Sequence, residues 1–325
     1  MSRSIYIPEQ WYPIEEARKV TRSKPHRIKR LGMELVLWRG TDNKVRVHHA
    51  ACPHRGADLG LGTINKERGC IVCPYHGFEF HEGGHCTHMP CEGKGAKIRK
   101  DLKLELFQVR EEQDLIWLWY GDTEPTEELP FFKDRNLEEK RTEAITTFAW
   151  PVSFTRVIEG MLDIHHLPFA HGKYVWGVGP LLDPYEATIE KGCIVQSKGT
   201  LRYPEKESGF TTELDLYFPG MLYLKLGASV YAGVYMCPVD EQNTWGYISY
   251  HQTSLTLPWV GKWFTRVMLW FEMTFVQHDD RRLLLSSEPQ MVDIRDDRLV
   301  HADKAIALWY KLRAQALESA QKTDG

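Results

Sequence analysis

The sequence is poor in the features that mark a protein for export, for a membrane or for nucleic acid. Its N-terminal segment, Met1-Ser-Arg-Ser-Ile-Tyr-Ile-Pro8, lacks the apolar stretch of a secretory leader. The seven cysteines, Cys52, Cys70, Cys73, Cys86, Cys91, Cys193 and Cys237, are odd in number and irregularly spaced. That pattern argues against a disulfide framework and for a reducing, cytoplasmic setting. A net charge of −3 over 325 residues gives no general bias toward nucleic acid. There is no internal repeat and no glycine-rich dinucleotide fingerprint. No apolar run reaches the length of a membrane-spanning helix without interruption. Leu257–Phe275 comes nearest, but Lys262, Arg266 and Glu272 break it. Val260, Phe264, Val267, Phe271 and Phe275 recur there at helical spacing, with Lys262, Thr265 and Arg266 off that stripe. The pattern predicts an amphipathic helix on the core, with contact at a membrane interface as the lesser alternative.

What the chain does have is the composition of an ordinary globular protein, 42% hydrophobic and 26% charged, with 11 tryptophans. Its length allows two domains, placed at 1–122 and 123–325. Short β-branched or aromatic runs at Glu34–Trp38, Lys44–His48, Cys70–Cys73 and Leu115–Tyr120 predict a β-rich first domain. Gly121–Pro130, with its prolines and acids, reads as a linker. In the second domain a strand at Thr142–Phe148 precedes a helix over Ser153–Phe169, ended or bent by Pro168. Strands follow at Glu186–Glu190, Phe210–Leu216, Met221–Leu226, Val230–Tyr235 and Gly246–Tyr250, then helices at Phe275–Ser287 and Ala302–Ala320. The basic segment Arg18–Arg30 reads as a solvated loop, or else as a docking patch for an acidic electron donor.

Two histidine-bearing signatures carry the chemistry. The first is Cys52-Pro-His54 with Cys73-Pro-Tyr-His76. Two thiolates on one iron and two neutral imidazoles on the other suit an asymmetric two-iron cluster, with a potential of roughly −150 to +300 mV. Zinc also accepts two Cys and two His, but zinc fingers pair Cys with Cys and His with His, whereas each half here supplies one of each. Gly56 and Gly77 after the histidines let backbone approach the cluster. Cys70 and Cys86 are read as small core residues, and His48, His49, His81 and His85 as packing or surface residues.

With these residues the chain resembles the Rieske proteins. It differs from those of cytochrome bc-type complexes, because Ala57 and Tyr75 stand where that group has a disulfide. Cys73-Pro-Tyr-His-Gly-Phe-Glu-Phe80 and Gly84-His-Cys-Thr-His-Met-Pro90 resemble instead the Rieske domain of ring-hydroxylating and demethylating oxygenases.

The second signature is Glu159-Gly-Met-Leu-Asp163-Ile-His-His166 with His171 beyond it. Two imidazoles and one carboxylate on one face of Fe(II) leave positions open for O₂ and substrate. His166 and His171 are the candidate imidazoles. The segment is similar to the iron motif of Rieske non-haem iron oxygenases, with Gly160 where relatives often carry Asn. The resemblance implies that Asp163 is not a ligand. It would link His166 of one subunit to His76 of the next, which implies a homotrimer. In Gln277-His-Asp-Asp280, the apolar turn and Glu288 that follow favour Asp280 over Asp279 as third ligand. An acidic pair favoured by a helix dipole is the bland alternative.

The resemblance implies an α+β protein: an N-terminal all-β Rieske [2Fe-2S] domain, then a helix-grip (START-like) domain built on an antiparallel sheet. It implies a terminal oxygenase of the O-/N-demethylase and pheophorbide-oxygenase-like group, using O₂ and two electrons to hydroxylate or oxidatively demethylate a small, largely apolar substrate. The cofactors would be a [2Fe-2S] cluster and Fe(II). A separate NAD(P)H-dependent reductase or ferredoxin would supply electrons. The alternatives are a non-catalytic Rieske electron carrier and a helix-grip ligand-binding protein. Candidate pocket residues lie in Val152–Ile158, Leu201–Tyr217, Met221–Val234 and the amphipathic helix, while Arg156 and Arg202 are assigned to the surface.

Overall fold

The computed structural model describes residues 5–93, 95, 97–130, 142–175, 177–227, 229–255 and 257–323. These divide into two compact units: Glu9–Pro125, and the remainder of the described chain.

The first unit is all β. In chain order its strands are β1 (Gln10–Glu16), β2 (His26–Arg30), β3 (Met33–Arg39), β4 (Val45–His49), β5 (Thr63–Asn65), β6 (Cys70–Val72), β7 (Glu79–His81), β8 (Cys86–His88), β9 (Val109–Glu112) and β10 (Leu115–Tyr120). They form antiparallel sheets in the orders β1-β10-β9, β2-β3-β4 and β5-β6-β7-β8. One buried cluster joins Val36, Trp38, Leu59, Ile71, Phe78 and Phe80 to Cys52 and Cys73, so the thiols sit in the core. Cys70 and Cys86 are buried here too, as small apolar residues.

The basic segment Arg18–Arg30 is only in part a solvated loop. Thr21–Lys24 is exposed, but β2 follows it, and three of its cations pair with acids: Arg18 and Lys19 with Glu16 at 2.6 and 2.8 Å, and Arg27 with Asp58 at 3.0 Å. Glu16, buried on β1, offsets part of what the sequence shows as a run of positive charge. Strand pairing, invisible in one dimension, decides this.

The second unit opens with β11 (Thr142–Trp150), α1 (Phe154–Leu162) and α2 (Leu167–Ala170). Strands β12 (Leu181–Glu190), β13 (Ile194–Arg202), β14 (Phe210–Tyr217), β15 (Met221–Leu226), β16 (Val230–Asp240) and β17 (Asn243–Gln252) follow. Then come α3 (Pro258–Phe271), α4 (Gln277–Ser286) and α5 (Lys304–Thr323). The sheet is a seven-stranded antiparallel meander, β11-β17-β16-β15-β14-β13-β12, with long helices, as the helix-grip expectation requires. Trp309 of α5 is fully buried and donates its indole N–H to the Pro219 carbonyl at 2.9 Å, tying helix to sheet.

Two helical expectations need correction. The predicted helix over Ser153–Phe169 is broken. α1 buries Phe154, Val157, Ile158 and Leu162 at helical spacing, then ends at Asp163, which is extended. Pro168 does not stop this helix; it lies in the first turn of α2, where its missing N–H is harmless. α3 is rotated from its predicted stripe: Val260, Phe264 and Phe271 are half-buried, with Lys262 and Arg266 exposed as expected. Gly261, Thr265 and Leu269 are buried, while Val267 is exposed and Trp259, Trp263 and Trp270 are 60–77% exposed. Thr265 is accommodated inside because its hydroxyl donates to the Gly261 carbonyl at 2.8 Å. No helix among the described residues is long and apolar enough to cross a membrane.

Candidate metal centres and substrate cavity

In the first unit, residues 52–57 and 73–78 form two matching loops. The Cys52 and Cys73 N–H groups donate to the Ala57 and Phe78 carbonyls, each at 2.8 Å. The Gly56 and Gly77 N–H groups donate back to the Cys52 and Cys73 carbonyls, at 2.8 and 3.0 Å. Both glycines have φ near +70°, the left-handed region in which a Cβ is strained. Each loop therefore directs its thiol inward and its imidazole outward. Cys52 and Cys73 are 3% and 2% exposed, and their thiols lie within hydrogen-bonding range of each other. The His54 and His76 rings stand 4.7 Å apart at the rim, with the His54 ring stacked on Phe78.

The donor set fits a [2Fe-2S] cluster. Burial pushes the Cys52 thiol up to about 11, while the backbone N–H groups of His54 and Arg55 point at its sulfur and oppose that shift. Two facing buried thiols with N–H groups aimed at one of them suit thiolates neutralised by a bound cation.

In the second unit, His166 immediately precedes α2 and His171 immediately follows it, so one helical turn brings the two rings to 5.2 Å. Asp280 comes from the first turn of α4. Asp280 Oδ1 lies 2.8 Å from His171 Nε2 and 3.5 Å from His166 Nε2. One donor atom from each of the three falls within 4.8 Å of the others. Donors sharing one first-row metal at about 2.1 Å and right angles stand roughly 3 Å apart, so the spacing fits. His171 is 3% exposed, yet neither ring nitrogen has a hydrogen-bond partner among the described residues. Its Nε2 approaches Asp280 without hydrogen-bond geometry, as two ligands of one ion would.

Asp279 faces elsewhere and pairs with Lys173 at 3.1 Å. Asp163 takes His165 Nδ1 at 2.9 Å and has His166 Nδ1 at 3.6 Å; its other contact is the His166 backbone N–H at 3.2 Å. The Asp163 side chain is half-buried, which would raise its carboxyl, but the two imidazoles hold it well below the usual range. The same carboxylate raises His166 against the burial that disfavours its cation.

A cavity of about 120 Å³ opens beside this cluster. Phe210, Thr212 and Leu214 of β14 and Leu222, Leu224 and Leu226 of β15 line it, because alternate residues of paired strands share one face. Gly160 lines it from α1, where a Cβ would come 3.0 Å from a methyl of Leu284; the residue serves helix packing rather than a polar contact. Of the expected pocket segments, Val152–Ile158 instead lies buried in the core, and the amphipathic stretch Leu257–Phe275 contributes Glu272 from its C-terminal end.

Arg156 is not on the surface. It is 6% exposed and bonds Glu159 at 2.8 Å and Asp297 at 2.7 Å, while Tyr310 donates to Glu159 at 2.6 Å. Arg202 pairs with Asp183 at 2.5 Å, away from the cavity. Glu272 and Gln277, which sequence reasoning did not single out, do line the cavity. The signal for Glu272 was there: a single acid inside an otherwise apolar helical run.

Residues 10–108 match the Rieske [2Fe-2S] domain family. Over 228 residues, 65% of this chain, the sequence is 29% identical to chlorophyllide a oxygenase of Arabidopsis thaliana. The first unit carries a Rieske [2Fe-2S] domain. Methylxanthine N3-demethylase NdmB of Pseudomonas putida is 25% identical over 61% of this chain and 56% of its own. The chain spans only 41% of the chlorophyllide a oxygenase and 30% of protein TIC 55 from Pisum sativum. Its fold matches that of dicamba monooxygenase bound to dicamba, with a TM-score of 0.79 at 18% identity over 98% of this chain and all of the other. NdmB has the same fold, with a TM-score of 0.76 over 98% and 94% of the two chains.

Proposed function

We propose that the chain is the terminal component of a Rieske non-haem iron oxygenase that hydroxylates or oxidatively demethylates a small, largely apolar molecule. The observation that carries this reading is the His166–His171–Asp280 cluster beside an apolar cavity, in a chain that also holds paired Cys-His loops. Cys52, His54, Cys73 and His76 would hold the [2Fe-2S] cluster, and His166, His171 and Asp280 the mononuclear Fe(II). When bound, that iron supplies O₂ activation at positions the protein leaves open. The apolar wall formed by β14 and β15 excludes water and orients the substrate's carbon skeleton.

The finer reading assigns Asp163 to the contact between His166 and a neighbouring subunit's cluster histidine, within a homotrimer. Large apolar residues exposed next to both sites support it, Tyr75 at 60% and Phe169 at 74%. Electrons come from a separate NAD(P)H-dependent reductase or ferredoxin.

The test is metal stoichiometry with a substitution. Anaerobic reconstitution should give three iron to two sulfide per chain. His166→Ala should lower iron to two, keep the cluster's EPR signal and abolish product formation. Product formation by the variant would sink the reading. For the finer part, Asp163→Asn should keep both metals yet slow single-turnover electron transfer strongly, and light scattering should give the mass of three chains.

A further inference from the structure

The cavity has one polar corner that metal binding does not use. After α3 the chain makes a π-helical turn, Glu272–Val276, closed by the Gln277 N–H donating to the Glu272 carbonyl. That wider turn brings side chains five apart onto one side, and Gln277 Nε2 donates to Glu272 Oε1 at 3.1 Å. Both residues line the cavity. Gln277 is 8% exposed, and its Oε1 has no hydrogen-bond partner among the described residues. Leaving a buried acceptor unpaired is unfavourable, so the position calls for a donor that the protein does not provide. Among the described residues lining the cavity there is no Lys or Arg.

We propose that Glu272 and Gln277 form the specificity corner of the pocket, and that the substrate is an uncharged, mostly apolar molecule presenting a hydroxyl or an amide N–H to Gln277 Oε1. The inference deepens the oxygenase reading and rests on it. Burial pushes the Glu272 carboxyl up, toward a neutral acid, although the Gln277 amide opposes this. The carboxyl lies beside the unpaired Gln277 acceptor. A hydroxyl or an amide N–H supplies the donor that this acceptor lacks. A carboxylate has no O–H or N–H to offer the Gln277 acceptor, and it would meet the Glu272 and Asp163 carboxyls with no Lys or Arg in the lining.

The experiment is calorimetric binding to the metal-loaded protein under anaerobic conditions, with 4-ethylphenol, ethylbenzene and 4-ethylbenzoate as probes. A single ring suits the cavity, since a void of about 150 Å³ holds one benzene. The phenol should bind at least ten-fold more tightly than ethylbenzene, and the benzoate most weakly. Gln277→Leu should bring phenol and ethylbenzene within three-fold of each other. Glu272→Gln, which leaves the Gln277 acceptor in place, should keep a preference for the phenol. Equal binding of the three probes, tightest binding of the benzoate, or an unchanged preference in a folded Gln277→Leu would overturn the proposal. The wild-type ranking decides even if that variant fails to fold. Oxygen uptake and iron content are read separately. The right ranking without mononuclear iron would end the oxygenase reading and leave the corner standing, whereas iron and uptake with the wrong ranking would end the corner alone.

Discussion

Replacing Arg156 with Met should destabilise the second unit by about 3 kcal/mol. The side chain is 6% exposed and makes four hydrogen bonds: to Glu159 at 2.8 Å, to Asp297 at 2.7 and 3.3 Å, and to the Pro289 carbonyl at 3.0 Å. Removing one partner of a buried ion pair costs about 3–5 kcal/mol, because the other charge stays behind without compensation. Two features place the loss at the lower end. Tyr310 still donates to Glu159, and the Asp297 side chain is 27% exposed and regains water. In a unit of this size each kcal/mol is worth about 2–4 °C, so the melting temperature should fall by about 6–12 °C. Urea unfolding followed by circular dichroism gives the same quantity at equilibrium. Adding Glu159→Gln to Arg156→Met should restore at least about 1 kcal/mol, since the uncompensated carboxylate is then gone. A loss below about 1 kcal/mol in the single variant, or strict additivity in the double, would refute the account of Arg156 as a buried bridge between α1, α5 and the loop after α4.

Asp280→Asn should lower affinity for the mononuclear iron at least ten-fold, whereas Asp279→Asn should leave iron content unchanged, because Asp279 pairs with Lys173 instead; equal iron loss in the two would undo the distinction. In the first unit, His48 is 1% exposed and accepts the Trp38 indole N–H, and burial brings its pKa down from 6.5 to about 4. The unfolded chain therefore binds the extra proton first: stability is complete above pH 6.5 and falls by up to about 3 kcal/mol as pH drops toward 4. His48→Gln should flatten that slope in acid unfolding monitored by fluorescence, and an unaltered slope would assign it elsewhere. Finally, Leu269→Ala should cost about 2–4 kcal/mol and Trp263→Ala under about 0.5, because Leu269 is buried and Trp263 is 65% exposed; the opposite order in thermal unfolding would reverse the orientation given to α3.

Much of this was legible in one dimension because it depends on short spacings. Both cluster loops are set by local chemistry: Cys, then His two or three residues on, then a glycine able to take positive φ. His166 and His171 are brought together by a single turn of helix, which five residues of spacing already imply. The strands of the large sheet show in their β-branched and aromatic runs, although β13 was missed because Gln196, Ser197, Lys198 and Gly199 interrupt its apolar residues. Failures concentrate where the partner is remote. The predicted stripe on α3 chose the larger apolar residues, but the helix buries Gly261 and Thr265, whose small size allows close packing, and leaves three tryptophans outward. Arg156 was assigned to the surface because its counter-charges Glu159 and Asp297 come from its own helix and from 141 residues further on.

By itself, then, the sequence determined the chemistry on offer: two thiol–imidazole loops, a pair of histidines one turn apart, and a chain with two domains' worth of core. Local spacing and residue type are enough for that, since ligands in one loop or one turn need no distant help. The tertiary structure decided what long-range packing alone can decide. It brought Asp280 rather than Asp279 to the histidines, by the rotation of α4 against α1 and α2. It hollowed the apolar cavity from alternate residues of β14 and β15, and it turned Glu272 and Gln277 into that cavity through the π-helical turn.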